Sequence, residues 1–89
     1  MKFRKKPVVI DAWRVGELMH AAGHDWNQLP VEVQEAYEEA RIIFASDKIL
    51  VHTLEGVMEA PLSSWLLRGV EREFYPCRDD IFRATYEEV

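Results

Sequence analysis

The chain has 89 residues, enough for one core and no second domain, and its 48% hydrophobic and 30% charged residues are ordinary values for a folded globular chain. Eleven basic against sixteen acidic residues leave a formal net charge of −5, which argues against a general nucleic-acid binder held by phosphate contacts. Cys77 is the only cysteine, which excludes an internal disulfide and a thiol-rich zinc site, and no apolar run approaches the roughly 20 residues of a membrane helix.

The basic start, Lys2, Arg4, Lys5 and Lys6, leads into a stretch that contains Asp11 rather than into a signal-peptide core, so the expected setting is the cytoplasm. Pro7 through Val15 is rich in β-branched and aromatic residues and is closed by Gly16, which predicts a first strand with Pro7 at its first position. Glu17–Ala22 favours a helical turn or two, and Gly23 suits the left-handed residue that ends one. His24–Leu29 reads as a connector. Pro30 fits the first position of a second helix of about twelve residues. Val33, Ala36, Tyr37 and Ala40 form its packed face, while Glu32, Glu35, Glu38 and Glu39 fall largely elsewhere.

From Ile42 the hydrophobic period turns toward two. Ile42–Ala45 and Lys48–Leu54 read as strands joined by a turn at Ser46-Asp47, and Glu55-Gly56 offers a two-residue hairpin into Val57–Ala60. Pro61–Ser64 interrupts the pattern before Trp65–Arg68 resumes it, with Trp65 and Leu67 expected on the core face and Arg68 opposite them. Glu73-Phe74-Tyr75 reads as a short strand halted by Pro76. Arg78, Asp79 and Asp80 open a short helical segment through Arg83, and Thr85–Val89 extends as a closing strand. The architecture implied is α+β: a small curved antiparallel sheet or partly open barrel, with a two-helix insertion at about 16–42 after the first strand.

The second half carries Trp65-Leu66-Leu67-Arg68-Gly69-Val70, Glu73-Phe74-Tyr75-Pro76-Cys77, Asp80-Ile81-Phe82 and Thr85-Tyr86-Glu87. Together with the opening Met1–Ile10 it resembles a family of small uncharacterised phage and prophage proteins. The resemblance covers about the first fourteen and the last thirty-seven residues and leaves the helical middle unmatched. It implies an origin in phage or prophage genomes and no particular activity. Family members tend to carry Pro-Gly-Asp before the tryptophan and Gly before Glu-Phe-Tyr-Pro-Cys, where this chain has Leu62-Ser63-Ser64 and Arg72. Both turns are therefore expected to be made without glycine's freedom at positive φ.

Candidate chemistry is sparse. His20 and His24 stand four apart, a spacing that places two imidazoles on one helix face as in some zinc sites, but Gly23 is expected to end the helix between them. Two surface or capping histidines are the reading preferred. Cys77 with His52 would be a nucleophile and base, yet nothing in the sequence brings them together, and a lone cysteine after Tyr-Pro reads as a small buried hydrophobe. Ser63-Ser64 lies in no nucleophile-elbow context, and no phosphate-cradling glycine loop is present. No cofactor is expected.

Trp13, Trp26, Trp65, Phe74, Tyr75 and Phe82 are a large aromatic load for the length, accounted for mostly by core packing. Trp26, in the polar connector, is the candidate for exposure. With Glu32, Glu35 and Glu39 it marks a partner-binding surface, weighed against a Trp26 folded back to staple helix to sheet. The expected function is a non-enzymatic accessory protein that binds a host or phage protein through residues 16–42, with a homo-oligomer left open. The alternative is a nucleic-acid-associated protein using Lys2, Arg4, Lys5 and Lys6, against a plain edge strand guarded by lysines. A small enzyme or metal-binding protein comes third.

Overall fold

The computed structural model describes residues 1–89. In chain order come strand β1 (Asp11–Arg14), helix α1 (Val15–His24), a 3-10 turn (Trp26–Gln28), helix α2 (Val31–Glu38), strands β2 (Ile42–Phe44), β3 (Lys48–Thr53), β4 (Gly56–Pro61), β5 (Trp65–Arg68) and β6 (Phe74–Cys77), and helix α3 (Asp79–Thr85). The fold is α+β, as the hydrophobic periods indicate. The strands form two three-stranded antiparallel sheets, β1-β5-β6 and β2-β3-β4, and no barrel closes.

Helices and sheets share one apolar cluster. Val15 and Leu18 of α1, Leu29, and Val33 and Ala36 of α2 meet Ile42, Ile49, Val51 and Ala60 of one sheet and Leu66 and Phe74 of the other. Five of these eleven core residues, Leu18, Leu29, Val33, Ala36 and Ile42, lie within 16–42. The helical segment is therefore part of the core that both sheets share. A short turn in its place would expose the faces of both.

Several local expectations shift. β1 begins at Asp11, and residues 1–10 form no strand, so the basic residues guard no edge. Helix α1 runs through Gly23 to His24, and the Asp25 N–H closes it on the Ala21 carbonyl at 2.8 Å. Pro30 caps α2 from just outside, its carbonyl accepting the N–H groups of Val33 and Gln34. The helix has eight residues rather than twelve because Ala40 turns left-handed, at φ 60°. The Ala40 N–H then reaches Tyr37 O at 3.0 Å and the Arg41 N–H reaches Ala36 O at 2.8 Å, the two bonds of a Schellman stop.

The hairpin between β3 and β4 turns on Leu54-Glu55, one residue earlier than expected, with Gly56 at φ 113° paired to Thr53. β6 continues through Pro76 to Cys77, which an edge strand permits because Pro76 owes no ladder donor there. Thr85 ends α3, and residues 86–89 form no closing strand. The turn before β6 places Arg72 at φ 66°, so an arginine takes the left-handed conformation that a glycine would adopt without a Cβ penalty.

The face taken by β5 is the reverse of the one expected. Leu66 enters the main core beside Phe74, and Trp13, its partner across β1, stacks on Phe74 at 6.4 Å. Trp65 and Leu67 face the other way with Ala12, Tyr75 and Cys77, where Leu67 is fully buried and Trp65 half-buried under α3. Simple alternation could not say which face the helices would cover.

Truncating Leu66 to Ala should cost about 2–5 kcal/mol in denaturant titration, as for other large-to-small core changes. Replacing Ala40 by Gly should raise stability by about 0.5–1 kcal/mol, because the left-handed corner is occupied by an L side chain at a cost that exceeds glycine's added chain entropy. A destabilised Ala40→Gly protein would show that the corner carries no strain.

Candidate functional site

Two surfaces collect side chains that the core does not use. The first lies on the two flanks of α2. Glu32, Glu35 and Glu39 recur at helical spacing on one flank and line a small cleft of about 80 Å³, opposite Arg41, Arg68 and Arg72. Arg41 Nε meets the Glu39 carboxylate at 2.9 Å, and Arg41 Nη1 donates to the Arg72 carbonyl at 3.2 Å. Arg68 is 3.5 Å from Asp11. The acidic row is thus faced by arginines of its own chain, so the cleft has mixed charge. None of the three arginines is near the glutamates in sequence, except Arg41 beside Glu39, and no local pattern announces the arrangement.

Trp26 sits on the opposite flank. Its ring packs edge-on against Tyr37 at 4.9 Å and Phe44 at 5.7 Å, and the Trp26 carbonyl accepts the Leu29 N–H in the 3-10 turn. It is half-buried against the core, which joins the two readings made for it: a staple from the connector to α2 and β2, with one edge still open to solvent. Tyr37, expected to be packed, remains 46% exposed. Trp26 and the glutamate row therefore do not form one continuous patch. They border α2 on either side.

The second surface is the outer face of the β1-β5-β6 sheet. Here the two ends of the chain meet. Trp65 stacks on Phe82 at 4.0 Å, Phe82 lies 5.4 Å from Tyr86, the Arg14 guanidinium covers Trp65 at 4.5 Å and the Lys5 ammonium stands 5.4 Å over Tyr86. The column is anchored by the Trp65 Nε1–H, which donates to Asp79 Oδ1 at 2.9 Å. That bond and the Arg83 guanidinium hold the Asp79 carboxyl below the usual carboxylate range. Burial, followed by Tyr86 beside it, pushes the Tyr75 phenol above its ordinary value. Along this column the segments that carry the sequence resemblance, the opening and the last third, become one surface.

The remaining candidates are dispersed. His20 and His24 stack at 4.1 Å on α1, and His24 Nδ1 donates to the His20 carbonyl at 2.8 Å, the carbonyl being able only to accept. No third His, Cys, Asp or Glu joins them. His52, on β3, opens into a cleft with Tyr75 and Pro76, whereas Cys77 opens into the next one with Met58 and Ile81. Cys77 is half-buried rather than fully so, and its thiol contacts the Arg78 carbonyl at 3.6 Å. Burial and then the Asp80 carboxylate push that thiol up, with Lys5 only partly opposing them. Lys2, Arg4, Lys5 and Lys6 are exposed and enter no ion pair.

Comparison of the chain with protein-family models, with curated proteins and with solved structures gave no match.

A raised thiol leaves little thiolate at neutral pH, and the thiolate is the reacting form. Labelling of native Cys77 by a thiol reagent at pH 7 should therefore run slower than that of a free cysteine, and its rate should climb only as pH rises past the ordinary thiol range. A native rate equal to that of the unfolded chain would contradict this placement.

Proposed function

We propose that this chain is a non-enzymatic protein-interaction module, a phage or prophage accessory protein that binds a host or phage protein in the bacterial cytoplasm. The observation that carries the reading is α2 itself. It stands as a ridge between an aromatic patch of Trp26, Tyr37 and Phe44 and a mixed-charge cleft of three glutamates and three arginines. Tryptophan, tyrosine and arginine are the side chains that dominate binding hot spots, and here they flank one short helix whose apolar stripe is already used by the core. A partner gripping the ridge would bury aromatic rings on one side and pair charges on the other. The phage origin rests on the resemblance of the chain's two ends. The cytoplasmic setting fits a lone unactivated thiol, and no helix is long and apolar enough to cross a membrane.

The basic residues Lys2, Arg4, Lys5 and Lys6 support a second reading, contact with single-stranded nucleic acid, because they are free of ion pairs. Oligonucleotide binding that falls steeply with salt and is lost on neutralising these four residues would favour it.

Affinity capture from host lysate, run side by side with the wild type, Glu35→Lys and Tyr37→Ala, tests the first reading. Both side chains are exposed, so both variants should keep the wild-type circular dichroism. The same partner should be lost from each, with affinity down about tenfold or more. Capture unchanged in both folded variants would remove α2 from the interface.

A further inference from the structure

Residues 1–10 and 86–89, which belong to no helix or strand, border an open groove at the outer face of the β1-β5-β6 sheet. The groove holds about 440 Å³ above Ala12 and Trp65, with Val8, Val9 and Ile10 on one wall and Tyr86 and Val89 on the other. A second hollow of about 500 Å³ continues it between Lys5, Lys6 and Pro7 on one side and Glu87 and Glu88 on the other. Neither wall belongs to a sheet, and no backbone N–H or C=O of residues 1–10 or 87–89 takes part in a backbone hydrogen bond. Val8-Val9-Ile10 and Thr85-Tyr86 are residue types that favour a ladder. The gap between them is bordered on both sides by backbone whose N–H and C=O groups are free of backbone partners.

Charge indicates what fits it. Residues 1–10 hold four of the eleven basic residues and none of the sixteen acids, so the body from Asp11 onward has seven against sixteen, a formal −9 beneath an arm of +4. The arm leaves apolar side chains in water, with Phe3 87% and Val9 74% exposed. Its cations lie within residues 2–6, and after Pro7 it becomes purely β-branched in Val8, Val9 and Ile10. The groove has carboxylates at its outer end and an apolar, aromatic floor. The two are complementary in order as well as in sign.

We propose that the groove is completed by residues 4–10 of a second copy of this chain, the two arms being exchanged reciprocally about a two-fold axis. Each arriving arm lays Lys5 and Lys6 toward Glu87 and Glu88, puts Val8 and Val9 over the apolar floor, and supplies the backbone partners that both walls lack. Exchange sets a +4 segment on a −9 body and covers exposed Val8 and Val9. The interface is separate from α2, so the dimer and the partner-binding reading can fail independently.

Sedimentation equilibrium of the full chain at low salt, at concentrations up to about 0.1 mM, tests it, since weak reciprocal contacts give dissociation constants in the micromolar range and above. The expected result is a monomer–dimer equilibrium that weakens with added salt. Val9→Glu, at a residue exposed in the single chain, should leave the thermal transition of dilute protein unchanged while weakening the dimer about tenfold or more. Lys5→Glu/Lys6→Glu and Glu87→Lys/Glu88→Lys should each dimerise poorly alone and regain a dimer when mixed. A protein that stays monomeric throughout, or a dimer indifferent to Val9→Glu, overturns the proposal. So does binding of the arm to an oligonucleotide by a chain that never dimerises.

Discussion

Both three-stranded sheets draw on one apolar cluster, meeting directly where β3 and β4 lie against β6, and a lone small sheet cannot keep its apolar face dry in water. The helical segment adds Leu18, Leu29, Val33 and Ala36 to the cluster that holds Ile49 and Val51 of one sheet and Leu66 and Phe74 of the other. Much else is placed by that shared core. It fixes which side of β5 looks inward, and so which side of the β1-β5-β6 sheet is left for α3 and the two chain ends. It also commits the apolar stripe of α2 to the core, so that only the helix flanks and crest remain to meet another molecule.

Much of this was legible in the residues, and the parts that were not have a common cause. The change of hydrophobic period near Gly16 and again at Ile42 located the helices and strands, because period reports local burial on one side of an element. What period lacks is the identity of the covering layer. Hence period does not say which of Leu66 and Leu67, both fully buried, joins the main core, nor that β6 lies at a sheet edge where Pro76 is tolerated. The strand expected over Pro7–Val15 forms only at Asp11–Arg14, because nothing in the single chain pairs with Pro7–Ile10 although those side chains suit a ladder.

The candidate surfaces show the same division. Glu32, Glu35 and Glu39 could be read as one face from their spacing alone, whereas Arg68 and Arg72 reach them through a loop whose path no local signal describes. For Trp26 the sequence poses exposure against a staple, and the half-buried ring shares features of both, since a polar connector beside a helix offers it both water and a ring to lean on. The aromatic column of Trp65, Phe82 and Tyr86 draws on residues up to 21 positions apart, with Lys5 brought in from the other end of the chain. Only the tertiary fold assembles it.

Of the two left-handed residues that are not glycine, Arg72 lines the mixed-charge cleft and Ala40 stands between Glu39 and Arg41, which line it too. Arg41 links the two turns: its N–H completes the stop of α2, and its guanidinium holds the carbonyl of Arg72. The two turns thus share one residue, whose backbone closes the helix while its guanidinium meets the second turn. A sequence change that relaxed the Ala40 corner would act on the spacing of Glu39 from Arg72 without replacing any of the glutamates or arginines.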